Sequence, residues 1–367
     1  MTRQAKILHI FDDEKITKDS IELFNEIAGF SQNHIIISSN PEKAQINYND
    51  IENVTILNQN DKLEKILYNA IRDNDIIFLQ ALSYLKAKIL AKYKYQNKTF
   101  VWGLWGYDLY NYITYKTKPK FLTKGIREGI RDYYTYNIIY KRAFKKIDYC
   151  LFLLEQDYNL LKSNAKTNAK WISNCYQTIE QINNQCPNFK VSGTAILTGN
   201  SSTTSNKHEI IFNKIAGLND RKIICPLNYG DVNYQKKVVG SGVEFFGENF
   251  YPLIDFMELK DYLKLLEECS ITIMAHERQQ AFGTIIQMLY GGSKVFLSKK
   301  SPLYKYFLIN GFAINSVEDD LNIDTIKPLQ DKYKKNNRNK ALELYSKAKI
   351  IETQKNILEK LQQDFNE

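Results

Sequence analysis

The segment Thr194-Ala-Ile-Leu-Thr-Gly-Asn-Ser-Ser-Thr-Thr-Ser-Asn-Lys-His-Glu-Ile-Ile211 lies just past the midpoint of a chain of 367 residues. An apolar run at 195–197 leads into Gly199, a series of hydroxyl and amide side chains, and a helix-like segment from Asn206. This order predicts strand, loop and helix, with Gly199 permitting a tight turn. Free N–H groups at a helix start beside hydroxyls suit an anion such as phosphate, although the same residues also suit an ordinary capped helix.

The same alternation extends in both directions from this loop. The strands predicted before it cover residues 6–11, 34–39, 54–57, 75–80, 99–103 and 148–154. Those predicted from it onward cover residues 194–199, 221–227, 243–246, 271–275 and 294–297. Because helical segments separate the strands, we expect parallel sheets with helices on both faces.

Two such domains and a terminal helix account for the chain. The segment 162–192 is rich in Asn, Lys, Gln and Ser and is interpreted as the crossing between the domains. The last segment, 329–367, has no Gly or Pro and repeats apolar residues near helical spacing. We therefore predict an α/β fold with two doubly wound, Rossmann-like domains facing a cleft, at residues 1–185 and 186–330, and a long C-terminal helix at 331–367.

The composition limits the partners and the compartment. The net charge of +9 favours phosphate-bearing ligands, nucleic acid or an anionic membrane. Five cysteines without a CxxC pair are typical of a reduced cytoplasmic protein. The chain enters a predicted strand without a signal-peptide pattern, and no uncharged apolar stretch reaches the ~18 residues of a membrane span. Any membrane association is therefore expected to be peripheral.

One unusual motif, Trp102-Gly-Leu-Trp-Gly-Tyr-Asp-Leu-Tyr110, follows a predicted strand of the first domain. The aromatic planes of Trp102 and Trp105 and the carboxylate of Asp108 suit a site that binds a sugar and deprotonates a hydroxyl. The alternative is that both tryptophans are core residues and that Asp108 caps a turn.

A second motif, His276-Glu-Arg-Gln-Gln-Ala-Phe-Gly-Thr284, follows a strand of the second domain and opens a helix. Gly283 and Thr284 offer backbone donors to a phosphate, and Arg278 adds a planar positive fork. The alternative is a surface loop with a solvated arginine. His208, on the helix after the first loop, is a candidate phosphate contact or a structural histidine.

Several common ligand motifs are absent from the sequence. No GxGxxG follows the first strand, no GxxxxGK[ST] occurs, and the second domain has no Asp-x-Asp. These absences disfavour dinucleotide dehydrogenases and P-loop enzymes, and we predict neither a metal ion nor another cofactor.

The tryptophan motif and Arg278-Gln-Gln-Ala-Phe-Gly-Thr284, together with Ile196-Leu-Thr-Gly-Asn-Ser201, Ser205-Asn206 and His208, resemble glycosyltransferase family 56. The segment after Asn206 and the residues His276-Glu277 depart from the family pattern. That family comprises TDP-N-acetylfucosamine:lipid II N-acetylfucosaminyltransferases of enterobacterial common antigen synthesis. The resemblance runs from the first strand, where Asp12 falls at the matching acidic position, to about Gly311. It implies a GT-B fold and transfer of a deoxy-amino sugar, of the 4-acetamido-4,6-dideoxygalactose type, from a dTDP donor to a polyprenyl-diphosphate-linked glycan at the inner membrane face.

The resemblance assigns roles to the motif residues. The dTDP diphosphate is expected against the loop after residue 198 and the helix near Gly283, with Arg278 and His208 offsetting the charge of the leaving group without a metal. Asp108 or Asp12 is expected to take the proton of the acceptor hydroxyl. The predicted donor-binding residues are Gly199, Asn200, Ser201, Asn206, His208, Tyr229, Gly230, Phe246, Met257, Arg278, Gln279, Gly283 and Thr284.

A basic and aromatic region follows the tryptophan motif. Between residues 116 and 146 there are ten Lys or Arg against only Glu128 and Asp132, with tyrosines interleaved. Such a segment suits anionic headgroups and an acceptor diphosphate, and it also suits a solvated basic helix with a tyrosine-lined core face. The predicted acceptor or membrane residues are Trp102, Trp105, Lys116, Lys118, Lys120, Lys124, Arg127, Arg131, Lys141 and Arg142.

Three other functions remain open from the sequence. The chain is also compatible with a GT-B transferase that uses another nucleotide sugar in lipopolysaccharide or capsule synthesis. A non-hydrolysing sugar-nucleotide epimerase shares the two-domain shape. A basic nucleic-acid-binding protein is disfavoured, because no RRM, zinc-finger or OB pattern is present.

Overall fold

A computed structural model describes residues 3–14, 16–60, 62–117 and 126–367. The chain divides into two compact units. The first contains Met1–Tyr176 and Ile351–Glu367, and the second contains Gln177–Ile350. The division falls inside the segment 162–192, whereas the limits drawn from the sequence at 185/186 and 330/331 do not coincide with it.

The first unit contains a parallel sheet of seven strands in the order β3-β2-β1-β4-β5-β6-β7. The strands are β1 Ile7–Asp12, β2 Gln32–Ser38, β3 Val54–Asn58, β4 Ile76–Gln80, β5 Thr99–Gly103, β6 Tyr149–Leu151 and β7 Lys170–Ile172. The central strands β1, β4 and β5 are mostly apolar and almost fully buried, because helices cover both faces of the sheet.

Helices connect these strands. They are α1 Thr17–Asn25, α2 Pro41–Tyr48, α3 Leu63–Asp73, α4 Tyr84–Lys92, α5 Tyr107–Thr117, α6 Ile126–Tyr134, α7 Tyr140–Phe144 and α8 Glu155–Asn164. A π-helical turn, Thr135–Ile139, joins α6 to α7.

The second unit contains a sheet of six strands in the order β10-β9-β8-β11-β12-β13. The strands are β8 Ala195–Thr198, β9 Ile223–Pro226, β10 Phe250–Leu253, β11 Cys269–Met274, β12 Lys294–Leu297 and β13 Asn315–Ser316. The helices of this unit are α9 Ile179–Gln185, α10 His208–Lys214, α11 Val232–Phe246, α12 Leu259–Glu267, α13 Phe282–Gly291, α14 Pro302–Ile309 and α15 Asp331–Tyr345. The last helix, α16 Lys347–Asn366, begins in this unit and continues into the first.

One strand prediction in this unit was wrong. Residues 243–246 form the last turn of α11, and the strand begins at Phe250. A short apolar run does not distinguish a strand from a buried helical turn. Gly247, with a φ of 55°, ends the helix, and Phe246 packs in the core against Phe212 and Phe250.

The predicted C-terminal helix is present, with a break at Ser346, whose backbone is extended. Helix α15 belongs to the second unit, and α16 enters the first unit from Ile351 onward. There Ile357, Leu358 and Leu361 are buried in the core that also contains residues of β1. The last helix is therefore part of the hydrophobic core of the first unit.

Both sheets reverse their strand order at one point. In the first unit the reversal lies between β1 and β4, and in the second it lies between β8 and β11. Ligands of doubly wound sheets bind outside the carboxyl ends of the strands at this position. We call these two positions the first and second switch points. Within the described ranges no helix has the length and apolarity needed to cross a bilayer.

Candidate active site

The first switch point contains an ion pair between residues that follow β1 and β4. Asp12 ends β1, and its side chain is 23% exposed. The Nζ atom of Lys86, on α4, lies 3.1 Å from Asp12 Oδ2 and is fully buried. The Tyr107 hydroxyl donates to the same oxygen at 3.1 Å. Asp12 is thus held from the protein side while its carboxylate remains accessible to solvent.

Asp108 lies near this pair but is enclosed. Its Oδ2 accepts hydrogen bonds from the Leu82 backbone N–H at 2.9 Å and from Trp102 Nε1 at 2.7 Å. Burial raises the pKa of Asp108, although these hydrogen bonds act in the opposite direction. Through these two hydrogen bonds, the buried carboxyl of Asp108 links the segment after β4 to the segment after β5. This role is structural.

The two predicted tryptophans differ in environment. Trp102 is 0% exposed and packs between Phe144 and Phe152 in the core, so the prediction that its ring faces a sugar was wrong. Trp105 is half-buried, and its ring lies near Phe11. The packing of Trp102 and the caging of Asp108 follow the core alternative considered from the sequence.

The second switch point begins with the loop after β8. Gly199 has a φ of 65°, and a Cβ at this residue would lie 2.5 Å from His208 Nε2. The Asn206 side chain is buried under the loop, donating to the Ser201 carbonyl at 2.8 Å and accepting from the Asn200 N–H at 3.2 Å. A glycine and a buried amide therefore fix the conformation of this loop.

Gln280 connects three loops at this switch point. Its Nε2 donates to Asn200 Oδ1 at 2.7 Å, and its Oε1 accepts from Ser205 at 2.8 Å and from Arg278 Nε at 2.9 Å. Asn200 Nδ2 also donates to the Tyr229 hydroxyl at 3.0 Å. The loops after β8, β9 and β11, predicted separately, are thus brought together by hydrogen bonds.

Helix α13 starts beside this network. Its N-cap residue, Ala281, has a φ of 58° and makes no side-chain capping bond. Gly283 and Thr284 lie in its first turn, and a Cβ on Gly283 would lie 2.7 Å from the Gln177 side chain. A helix start without a capping side chain retains the partial positive charge that attracts anions.

The two histidines of this unit are buried and uncharged near neutral pH. Burial lowers the pKa of His208 and of His276 to about 4. His208 Nδ1 lies 3.2 Å from the Tyr234 hydroxyl, and His276 Nδ1 lies 3.1 Å from the Arg278 carbonyl. Without a bound anion the His208 imidazole is neutral and offers a hydrogen bond rather than a charge, and its contact with the leaving group stays a prediction.

The remaining predicted donor residues have different environments. Tyr229 is 51% exposed and Met257 is half-buried, both in segments that follow strands. Gly230 has a φ of 125°, and its missing Cβ permits close approach to the Ser202 carbonyl. Gln279 is half-buried in the loop after β11. Phe246 is a core residue of α11, so its assignment to a strand end was wrong.

The basic region of the first unit is exposed in its described part. Exposed cationic side chains are Arg127, Arg131, Lys141 and Arg142, and Lys116 is half-buried with a hydrogen bond to Asn137 at 2.6 Å. Large apolar side chains of α6 are also exposed, namely Ile130 at 64%, Tyr133 at 53% and Tyr134 at 51%. Lys118, Lys120 and Lys124 lie outside the described residues.

Sequence reasoning missed three residues of these sites. Lys86 reads as an ordinary helix lysine, Tyr107 as one of many tyrosines, and Gln280 as a neighbour of Gln279. Gln280 stands in a dense run of polar residues between two apolar runs, which is the available signal for it. Lys86 stands in a helical segment and its partner lies on a strand distant in sequence, so no local pattern marks it.

The two doubly wound units have the architecture of the GT-B fold. Solved structures share the fold at low sequence identity. The HepE protein of Anabaena (Alr3699), solved with UDP and glucose, aligns with a TM-score of 0.66 and 12% identity over 97% of this chain and 100% of its own. The N-terminal domain of Candida albicans trehalose-6-phosphate phosphatase gives 0.67 and 12% over 98% and 97%. Sucrose-phosphate synthase of Thermosynechococcus elongatus gives 0.66 and 10% over 98% and 99%.

The chain belongs to glycosyltransferase group 56. Residues 5–359 match the family described as 4-alpha-L-fucosyltransferase glycosyl transferase group 56. This confirms the family predicted from the three motifs, and the match extends beyond Gly311 into α16.

Proposed function

We propose that this transferase moves a deoxy-amino sugar, of the 4-acetamido-4,6-dideoxygalactose (N-acetylfucosamine) type, from a dTDP donor to a polyprenyl-diphosphate-linked glycan. The family description names a fucosyltransferase, and fucose is itself a 6-deoxy sugar. The observation that carries the donor half is the second switch point, where the Gly199 loop, Arg278 and the uncapped start of α13 offer donors to a diphosphate.

The diphosphate lies, in this proposal, against Gly199–Ser201 and the first turn of α13. Arg278 offsets the charge that develops as the nucleotide leaves, and His208 contributes at most a hydrogen bond. Gln280 keeps Asn200 and Arg278 in place. The proposal assigns no role to a metal ion, so turnover is expected to persist in the presence of EDTA.

The thymine ring of the donor nucleotide is proposed to lie near the segments after β9 and β10. Tyr229 offers an exposed ring held by Asn200, and Met257 lies before α12. Phe256, next to Met257, is 73% exposed. Apolar and aromatic side chains here suit a pyrimidine that bears a methyl group, which favours thymine.

A nucleotide panel in a thermal unfolding experiment tests the donor. The cognate nucleoside diphosphate binds the folded state and raises the melting temperature most at equal concentration. We expect the order dTDP above UDP above GDP. A larger rise with UDP or GDP would instead support a transferase of lipopolysaccharide or capsule synthesis that uses another nucleotide sugar.

Asp12 is proposed as the base that takes the proton of the acceptor hydroxyl. Of the two carboxylates predicted for this role, Asp12 is accessible to solvent, whereas Asp108 is 3% exposed and accepts two internal hydrogen bonds. A general base must come within hydrogen-bond reach of its proton, so accessibility favours Asp12.

The basic region from α5 to α7 is proposed to bind the anionic inner face of the cytoplasmic membrane and the lipid-linked acceptor. Exposed arginines and lysines attract phosphate groups, while Ile130, Tyr133 and Tyr134 suit the interface. In a flotation assay at low salt, we expect the protein to float with anionic vesicles. We expect it not to float with neutral vesicles. Absence of binding to anionic vesicles would contradict the membrane proposal and leave the donor proposal intact.

A further inference from the structure

Lys86 is an unusual residue because its charged end is fully enclosed. It lies on the first turn of α4, directly beyond the carboxyl end of β4, and is 1% exposed. Its Nζ atom donates to the Gln80 carbonyl at 2.6 Å and approaches Asp12 Oδ2 at 3.1 Å. The carbonyl belongs to the last residue of a central strand, so the sheet itself fixes the position of the ammonium group.

A buried ammonium group is costly to the fold. Burial lowers the pKa of Lys86, and the negative charge of Asp12 raises it. Replacing buried ion pairs with apolar side chains of similar size is often neutral or stabilising. Stability alone therefore gives little reason for a lysine at this position. The contact of Lys86 with Asp12 gives a functional reason for it.

The contacts to Asp12 are one-sided. Within the described part of the chain, the closest approach of Lys86 and the hydrogen bond of Tyr107 both fall on Oδ2. Two contacts on one oxygen fix the plane of the carboxylate. The other oxygen is then the one presented to a substrate hydroxyl, with its orientation set before the acceptor binds.

We propose that Lys86 is the positioning residue for the catalytic carboxylate: it anchors Asp12 through Oδ2 so that Oδ1 receives the acceptor proton. Tyr107 assists from the exposed side. This inference rests on the proposed role of Asp12 as the base. Lys86 itself exchanges no proton with the substrate and contacts neither sugar.

Substitution at Lys86 provides the test in the full-length protein. Lys86→Met keeps an unbranched apolar stem and removes the charge. We expect kcat for transfer to fall on the order of 100-fold, because misplacement of a catalytic group by about 1 Å has effects of this size. The affinity for dTDP, measured by calorimetry, is expected to remain unchanged.

A double substitution separates positioning from general damage. If Lys86 acts only through Asp12, then Asp12→Asn combined with Lys86→Met is no slower than Asp12→Asn alone. The proposal would be overturned if the fall in kcat of the double variant equalled the product of the two single falls, or if Lys86→Met kept the wild-type kcat. Wild-type turnover in Asp12→Asn would instead show that Asp12 is not the base, which removes the function on which the inference rests.

Two further variants serve as controls. Lys88, on the same helix, pairs with Glu64 at 2.9 Å on the surface, so Lys88→Met removes a lysine without reaching Asp12 and is expected to keep wild-type kcat. If Lys86→Met does not fold, Lys86→Gln takes its place, because its side-chain amide removes the charge and can still donate to the Gln80 carbonyl. A several-fold fall in kcat that disappears in the Asp12→Asn background supports the proposal, and no fall overturns it.

Discussion

The two switch points occupy the same place in two similar sheets and carry opposite chemistry. At the first, an accessible carboxylate, Asp12, is held by the buried cation Lys86. At the second, a glycine loop, Arg278 and the start of α13 surround a neutral network centred on Gln280. The topology gives both units the same position outside the sheet, and the side chains there provide a carboxylate in one unit and an arginine beside a helix start in the other.

The two switch points also differ in the ionisable groups that they bury. The first encloses ionisable groups, so that burial raises the pKa of Asp108 and lowers that of Lys86. The second encloses the imidazoles of His208 and His276. Burial lowers the pKa of each to about 4 and so keeps both neutral. We expect a substitution at one switch point to leave ligand binding at the other unchanged.

The largest effect is expected from Asp12→Asn. Loss of a general base lowers kcat by roughly 10²–10⁴-fold. The affinity for dTDP is expected to stay at the wild-type value, measured by calorimetry, because the residues proposed to bind the donor lie in the second unit. Asp13→Asn is the matched control, since Asp13 accepts from Ser38 on Oδ2 at 2.7 Å and from Tyr48 on Oδ1 at 3.0 Å. The amide oxygen keeps one of these hydrogen bonds, and the amide NH2 can donate to the other hydroxyl. Equal losses in both variants would contradict a specific role for Asp12.

Arg278→Met is expected to act on the other switch point. Hydrogen bonds to charged groups contribute about 1.5–3 kcal/mol, so the dissociation constant for dTDP should rise roughly 10–100-fold. The affinity for thymidine, which lacks the diphosphate, should not change. Arg221→Met is the control, because Arg221 pairs with Asp220 at 3.0 Å on the same unit. A weaker affinity for thymidine in Arg278→Met would indicate general distortion of the unit.

Gly199→Ala tests the loop conformation. The added Cβ meets His208 Nε2, and the φ of 65° disfavours any side chain, so we expect a loss of about 1–3 kcal/mol in the free energy of unfolding. Gly240→Ala is the counterpart on helix α11, where a Cβ meets nothing within 4 Å. That substitution should stabilise by about 0.5–1 kcal/mol. Denaturant unfolding of both variants checks the two signs.

Acidification should affect the second unit more than the first. His208 and His276 have a folded pKa of about 4, so the unfolded chain, with a histidine pKa of roughly 6.5, binds more protons between these values. Each contributes a stability loss of about 1 kcal/mol as pH falls from 7 to 5.5. The first unit has the buried His9 and His34, but the raised pKa of Asp157, about 6, partly offsets them.

Hydrogen exchange of the whole protein at pH 7 and pH 5.5, corrected for intrinsic rates, measures this difference. Amides of β8 and β11 should lose more protection than amides of β1 and β4. Equal losses in the two units would contradict the assigned histidine environments.

Much of the fold was predictable from the sequence because its central strands are short apolar runs between amphipathic helices. The loop at Gly199 and the motif before Thr284 were placed correctly after strands, since strand ends leave a local signature. The strand predicted at 243–246 failed because a helical turn and a strand share the same apolar pattern.

The arrangement of the candidate sites was less predictable. Whether Trp102 faces a ligand or the core depends on side-chain direction, and both readings fit the sequence. The contact between Lys86 and Asp12 joins elements that are adjacent only after β1 and β4 pair. Local patterns carry no information about such a contact.

One paired measurement tests most directly whether the two switch points divide the reaction between them. The rate of sugar transfer and the affinity for dTDP are determined for Asp12→Asn and Arg278→Met under the same conditions. We expect Asp12→Asn to bind dTDP as the wild type does while transfer is lost, and Arg278→Met to bind dTDP 10–100-fold more weakly. Wild-type transfer in Asp12→Asn, or parallel loss of dTDP affinity in both variants, would contradict the division.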